Sequence, residues 1–199
     1  DEKKINVIPL TPNISKTEKN SKKSGFKNIE NFVNNKKKYF FYPAQYWSHK
    51  NHYYILLALK SLKEKYKKNI NFVFTGYKKN NFTYLKNKVT EFGLTEQVIF
   101  FEYLNDEEIT FLYQNCEAVV MPSLVGYSSL PLYEAFYFEK PIFYSKNLLD
   151  KSLQKFVNES DLENPEDLSE KIIKFNENID LLEEKVTLAK DFFNTHLSE

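Results

Sequence analysis

Five short apolar runs, most of them followed by a segment of helical periodicity, constrain this chain more than any other feature. The runs are Lys38-Tyr39-Phe40-Phe41-Tyr42-Pro43, Ile70-Asn71-Phe72-Val73-Phe74-Thr75-Gly76, Val98-Ile99-Phe100-Phe101, Ala118-Val119-Val120-Met121-Pro122 and Pro141-Ile142-Phe143-Tyr144. They are apolar almost throughout rather than alternating, so both faces of the strands must be covered, which is the condition of a parallel sheet. Between them Ile55, Ala58, Leu59 and Leu62 recur at helical spacing over His52 to Tyr66, and Leu85, Val89 and Phe92 do so over Asn81 to Phe92, with Gly93 as the stop. Asn105 caps a helix whose first turn carries Asp106, Glu107 and Glu108, where carboxylates suit the helix dipole, and Ile109, Leu112 and Tyr113 form its buried stripe. Pro131 opens a helix running to about Phe138, Asn164-Pro165 opens another bearing Leu168, Ile172 and Phe175, and a last one spans about Ile179 to Phe193. Strands alternating with amphipathic helices predict an α/β fold, a Rossmann-like parallel sheet with helices on both faces. In such a sheet ligands bind outside the carboxyl ends of the strands, so chemistry is sought in the loops after Pro43, Gly76, Phe101 and Met121.

At 199 residues and 42% hydrophobic, residues 37–199 suffice for one domain with a substantial core. Residues 1–36 lack hydrophobic periodicity and are expected to be a linker or tail, with a short strand at most over Ile5–Leu10. Asp1-Glu2-Lys3-Lys4 does not have the form of a signal peptide, and the chain reads as cut from a longer protein. A net charge of +1 argues against a nucleic-acid or membrane partner. Every basic residue is Lys, so an anion would be held by ammonium groups and backbone N–H rather than by a guanidinium fork. The lone Cys116 excludes an internal disulfide, no apolar run reaches the roughly 18 residues of a membrane span, and no cluster predicts a metal or cofactor.

Two strand-end loops are informative. Ala44 to His52 holds the single Trp, two of the three His and Lys50 beside a helix start, where an ammonium and free N–H groups suit a phosphate; a solvated Lys with an aromatic lid is the alternative. His49 and His52 lack a third partner and do not make a metal pair. The second loop, Met121 to Ala135, leaves a strand through small residues and enters a helix, with backbone N–H groups at Ser128, Ser129 and Leu130 placed for an anion. Glu134, one turn into that helix among apolar neighbours, needs a donor: ribose hydroxyls, local backbone or a Lys would serve. Neither a dinucleotide fingerprint nor a P-loop is present.

Pro122-Ser123-x-x-Gly126-x-x-x-Leu130-Pro131-x-x-Glu134-Ala135 resembles the P-S-x-x-E-G-F-G-L-P-x-x-E-A signature of retaining glycosyltransferases of family 4, which have the GT-B fold. Glu134 matches the second glutamate, the ribose ligand of the family. The first, which contacts the donor sugar, falls on Gly126, and Gly126-Tyr127-Ser128-Ser129 is similar to the G-P-T-N of a bacterial subgroup. Tyr42 to His52 resembles the Y-P-A-Q-F-W-x-H-K-N-H string of that subgroup, so Gln45 and Lys50 stand where members carry the Arg and Lys directed at the diphosphate. Phe100 to Leu104 is similar to the segment whose backbone faces the base. The similarity covers roughly residues 38–175.

The resemblance implies the C-terminal, donor-binding half of a GT-B enzyme, with Lys50 and Glu134 in catalytic roles. Gln45, Gly76, Tyr103, Leu104, Gly126, Tyr127, Ser128, Ser129 and Leu130 are the further nucleotide-sugar contacts. It implies a bacterial hexosyltransferase that uses a nucleoside-diphosphate sugar, needs no metal and acts in surface polysaccharide synthesis. The glycan or lipid-linked acceptor would be held by an N-terminal domain, and the location would be cytoplasmic, at the inner membrane only through that other half. This chain alone is then expected to bind donor weakly and transfer little. Two other readings compete: a non-catalytic scaffold, favoured by the loss of the Arg and the first glutamate, and a nucleotide-sugar epimerase, whose acid-base residues are not visible. Fold alone does not separate them.

Overall fold

A computed structural model describes residues 24–35, 38–126, 130–146, 148–178 and 182–197. Its strands are β1 (Phe40–Pro43), β2 (Phe72–Thr75), β3 (Val98–Phe101), β4 (Ala118–Met121), β5 (Ile142–Ser145) and β6 (Asn158–Ser160). Its helices are α1 (Ser24–Asn35), α2 (His52–Glu64), α3 (Phe82–Glu91), α4 (Asp106–Asn115), α5 (Leu130–Tyr137), α6 (Lys151–Gln154), α7 (Pro165–Glu177) and α8 (Glu183–His196). The sheet order is β3-β2-β1-β4-β5-β6, parallel at every pairing, so the expected Rossmann-like architecture is present. The chain winds outward from β1 to β3, returns to the middle, and winds out the other way. The strand order therefore reverses between β1 and β4, the place where doubly wound sheets open a crevice.

Adjacent residues of β1 show how the two faces are covered. Successive side chains of a strand point to opposite faces. Phe40 meets Phe175 of α7 edge-on at 5.8 Å, whereas Phe41 meets Tyr113 of α4 at 5.0 Å. Phe40 also stacks on Phe72 of β2 at 5.4 Å. Such aromatic pairs, together with fully buried Leu59, Leu112, Leu132 and Ile172, form one continuous core. On the first face Glu166 of α7 accepts hydrogen bonds from Ser61 of α2, from Lys65, and from Tyr66 at 2.6 Å.

The predicted helix ends are recovered. Asn105 and Glu108 form a reciprocal capping box on α4, with bonds of 3.0 and 2.9 Å. Asn164 caps α7 with Pro165 in its first turn. Gly93, at φ 63°, ends the α3 segment.

Two elements depart from the sequence reading. Residues 24–35, which fall in the stretch expected to be a linker or tail, form α1. Ile29, Phe32 and Val33 supply a narrow stripe, and Phe32 packs on Tyr39 and Phe101. The sixth strand, β6, was not foreseen because Asn158-Glu159-Ser160 has no apolar run. It is an edge strand held by pairing with β5, and the Glu159 carbonyl accepts from the Lys171 ammonium. The expected strand over Ile5–Leu10 lies outside the described residues.

Candidate functional site

The loop after β1 is a tight assembly. A single 3-10 turn, Ser48–Lys50, leads into Asn51, which takes a left-handed conformation (φ 54°, ψ 39°) before α2 begins. Asn tolerates that conformation better than other residues with a Cβ, so the turn can reverse without glycine. Gly76, at the end of β2, lies directly beneath. A Cβ there would sit 2.6 Å from the Ala44 carbonyl oxygen and 2.7 Å from the Gln45 Cα. Gly76 is expected from the sequence to contact the nucleotide; its lack of a Cβ also lets this loop settle onto β2.

Across the switch point the loop after β4 closes on the first. The Leu124 N–H donates to the His49 carbonyl at 2.8 Å, and the Tyr42 hydroxyl lies 2.9 Å from the Lys50 carbonyl and 3.0 Å from Ser123 Oγ. Between the loops is a cleft of about 320 Å³, lined in part by Gln45, Trp47, His49, Lys50, Ser123 and Pro131. Two predicted residues, Gln45 and Lys50, are thus brought together. Burial lowers the Lys50 pKa from its ordinary value, and no carboxylate lies within 4 Å of its ammonium among the described residues. Trp47 Nε1 donates to Gln45 Oε1 at 3.1 Å. An indole N–H can only donate, so the amide NH₂ of Gln45 keeps its two donors for another partner.

Under Lys50 sits His52, fully buried, with ring centroids of Tyr42, Tyr46 and Phe74 at 4.7, 5.1 and 5.1 Å. Neither ring nitrogen makes a hydrogen bond among the described residues. Burial pushes its pKa down to about 3; the nearby Ala44 carbonyl offsets part of this and the Lys50 charge adds to it. The imidazole is a neutral, buried part of the site, and no cluster of three His, Cys, Asp or Glu occurs among the described residues.

Helix α5 starts at Leu130, which is exposed, and Glu134 stands one turn in. The donor Glu134 needs is Tyr113, whose hydroxyl binds Oε2 at 2.7 Å. Burial raises the Glu134 pKa, the Tyr113 bond lowers it in part, and Asp106 raises it. The sequence reading missed this partner because Tyr113 belongs to the core stripe of α4; nothing local ties it to Glu134. Gly126 has φ 111° and open space where a Cβ would be. Tyr127, Ser128 and Ser129 lie outside the described residues. Tyr103 is exposed after β3 and stacks on Tyr77 at 5.2 Å, while Leu104 packs on the core. The Lys79 ammonium lies 5.1 Å from the Trp47 ring and 5.8 Å from that of Tyr77, so an aromatic ledge missed in the sequence runs from the cleft toward Tyr103. A larger hollow of about 620 Å³, lined by Asn35, Lys38, Asn69 and Asn71 among others, lies at the opposite ends of the strands, away from these groups.

Comparison with known proteins shows the family and the fold. The family model of glycosyl transferases group 1 matches residues 25–190. No protein with a curated description matches. Among solved structures, a glycosyltransferase of Rickettsia africae superposes with a TM-score of 0.72 at 15% identity, over 86% of this chain and 48% of that one. Anabaena HepE, solved in complex with UDP, gives 0.71 at 13% identity over 89% of this chain and 50% of its own. The C-terminal domain of the group 1 protein LpcC from Francisella tularensis gives 0.67 at 18% identity, over 79% of this chain and 85% of that domain. The chain spans about half the length of the first of these. No helix among the described residues is long and apolar enough to cross a membrane.

Proposed function

The chain belongs to the glycosyl transferases group 1 family, and from that premise we propose that it is the donor-binding half of a retaining, family 4 type glycosyltransferase. It takes a hexose from a nucleoside-diphosphate sugar for a glycan or lipid-linked acceptor in bacterial surface polysaccharide synthesis. The observation that carries this reading is the cleft at the β1/β4 switch point. There Lys50 presents an ammonium without a carboxylate partner among the described residues, beside the donor-bearing amide of Gln45 and the start of α5. Complexes of Anabaena HepE with UDP and with UDP-glucose make a uridine diphosphate the first ligand to try.

In this reading the residues act by electrostatics rather than covalently. Negative charge grows on the diphosphate as the glycosidic bond breaks, and Lys50 with the N–H groups at the start of α5 stabilises it. A point ammonium and a neutral amide replace the bidentate Arg of other members, so the charge complement is weaker and the site leans on Lys50. Glu134, kept in place by Tyr113, accepts from the ribose hydroxyls through its second oxygen. The acceptor is the business of a further domain, so the chain alone binds donor weakly, transfers little, and stays in the cytoplasm.

The test is a calorimetric and NMR titration with UDP, GDP and dTDP. The reading expects one of them to shift amides near Lys50, Leu130 and Glu134, and Lys50→Ala to weaken that binding roughly tenfold or more. If Lys50→Ala and Glu134→Ala, both folded, bind as the parent does, the chain is a scaffold with a transferase fold.

A further inference from the structure

The ammonium of Lys50 is useful only if its backbone is held, and one buried phenol holds it. Tyr42 lies on β1 with its ring 1% exposed. Its hydroxyl has a single proton and two neighbours, the Lys50 carbonyl at 2.9 Å and Ser123 Oγ at 3.0 Å. A carbonyl can only accept, so the Tyr42 proton goes to Lys50 and Ser123 must donate to Tyr42. Ser123 is fixed in turn: its carbonyl accepts from Ser145 Oγ of β5 at 2.6 Å. Two hydroxyls in series, Ser123 and Tyr42, thus tie the β4 loop to the backbone of Lys50, and Ser145 of β5 holds that loop separately through the Ser123 carbonyl. On its other side Lys50 is bounded by its own N–H, which bonds the Trp47 carbonyl at 3.0 Å, and by the left-handed Asn51.

We infer that Tyr42 and Ser123 are positioning residues for the Lys50 ammonium, fixing its reach into the cleft by tying the β1 and β4 loops together through the Lys50 carbonyl. The inference rests on the reading of Lys50 as a diphosphate ligand and goes beyond it. It states that Tyr42 and Ser123, although both border the cleft, set the affinity for the diphosphate through that one side chain. Because Tyr42 also packs against His52, a purely structural role would lower stability and binding whatever stands at position 50. Dependence on Lys50 separates the two.

The experiment is a double-mutant cycle on the full chain, read by calorimetric titration with UDP and by thermal unfolding. Tyr42→Phe keeps the ring and removes the proton; it is expected to fold and to bind UDP roughly three- to tenfold more weakly. Ser123→Ala is expected to act in the same direction and carries the test alone if Tyr42→Phe does not fold. In a Lys50→Ala background either change should alter affinity by less than about twofold. Equal losses with and without Lys50, or no loss in either variant, overturn the inference while leaving Lys50 as a ligand. If the parent binds GDP or dTDP instead of UDP, the cycle is run with that nucleotide; if Lys50→Ala binds as the parent does, or if the parent binds none of the three, the underlying reading falls and this inference falls with it.

Discussion

Between pH 7.5 and pH 5, acidification is expected to destabilise this domain chiefly through His52; Glu166, held low by Lys65, Ser61 and Tyr66, adds its loss at lower pH. An imidazole whose pKa is about 3 in the folded protein and 6.5 when exposed takes up its proton only on unfolding. A base with a lowered folded pKa gives stability that is full above the unfolded value and is lost as pH falls through it. Linkage between these two values gives a loss of about 0.8 kcal/mol by pH 6 and about 2 kcal/mol by pH 5, with a slope near 1.4 kcal/mol per pH unit below that. The variant that isolates the effect is His52→Phe, since the site is already walled by Tyr42, Tyr46 and Phe74. Its absolute stability will differ from the parent because the new ring is larger. The pH dependence is the readout. Urea unfolding at pH 7.5, 6 and 5 should show the parent falling more steeply than His52→Phe, by about 2 kcal/mol at pH 5 relative to pH 7.5. Parallel curves would mean that the imidazole finds a proton or a partner in the folded state, and the account of the site floor would be wrong.

Other outcomes follow from the same geometry. Gly76→Ala must push a methyl group against the Ala44–Gln45 backbone, and should cost about 1–3 kcal/mol in urea unfolding; a cost under about 0.5 kcal/mol would show the loop free to move away. Glu134→Gln keeps an acceptor for Tyr113 and removes a carboxylate whose pKa burial has raised. A carboxylate with a raised folded pKa costs stability above that pKa, so the variant should unfold no more easily than the parent at pH 7 and lose this advantage toward pH 4, while binding UDP more weakly. Burial pushes the Cys116 thiol up to about 12, so an aromatic disulfide reagent should label it at the rate of unfolding; rapid labelling of the native chain would contradict its burial.

The fold was legible where burial on both faces leaves its mark on composition. Phe40-Phe41, Phe72-Val73-Phe74 and Ala118-Val119-Val120-Met121 could hardly be anything but central strands. Legibility ended at the rim. β6 is polar and held by pairing with β5 alone, whereas the other edge strand, β3, keeps an apolar run; α1 buries a stripe too narrow to stand out among Asn and Lys. In the site, the loop residues Gln45 and Lys50 could be found because strand ends are where ligands bind and because the string around them resembles a family. The groups that hold them could not. Tyr42 and Tyr113 read as core, and only the fold brings Tyr42 to Ser123, 81 positions away, and Tyr113 to Glu134, 21 positions away.

The strand order also bears on how the chain is made. β1, the first strand of the sheet to leave the ribosome, ends in the middle of it, between β2 and β4. β2 and β3 can join β1 as soon as they emerge, because each neighbours the strand before it. The other edge of β1 must then wait for residues 118–121, and the face bearing Phe40 must wait for Phe175. For that interval a nascent chain carries a three-stranded half-sheet with an open, aromatic edge, the form in which one chain can pair with another. Synthesis slowed before residue 118 should therefore lower the yield of native protein more than the same delay after β4 has docked.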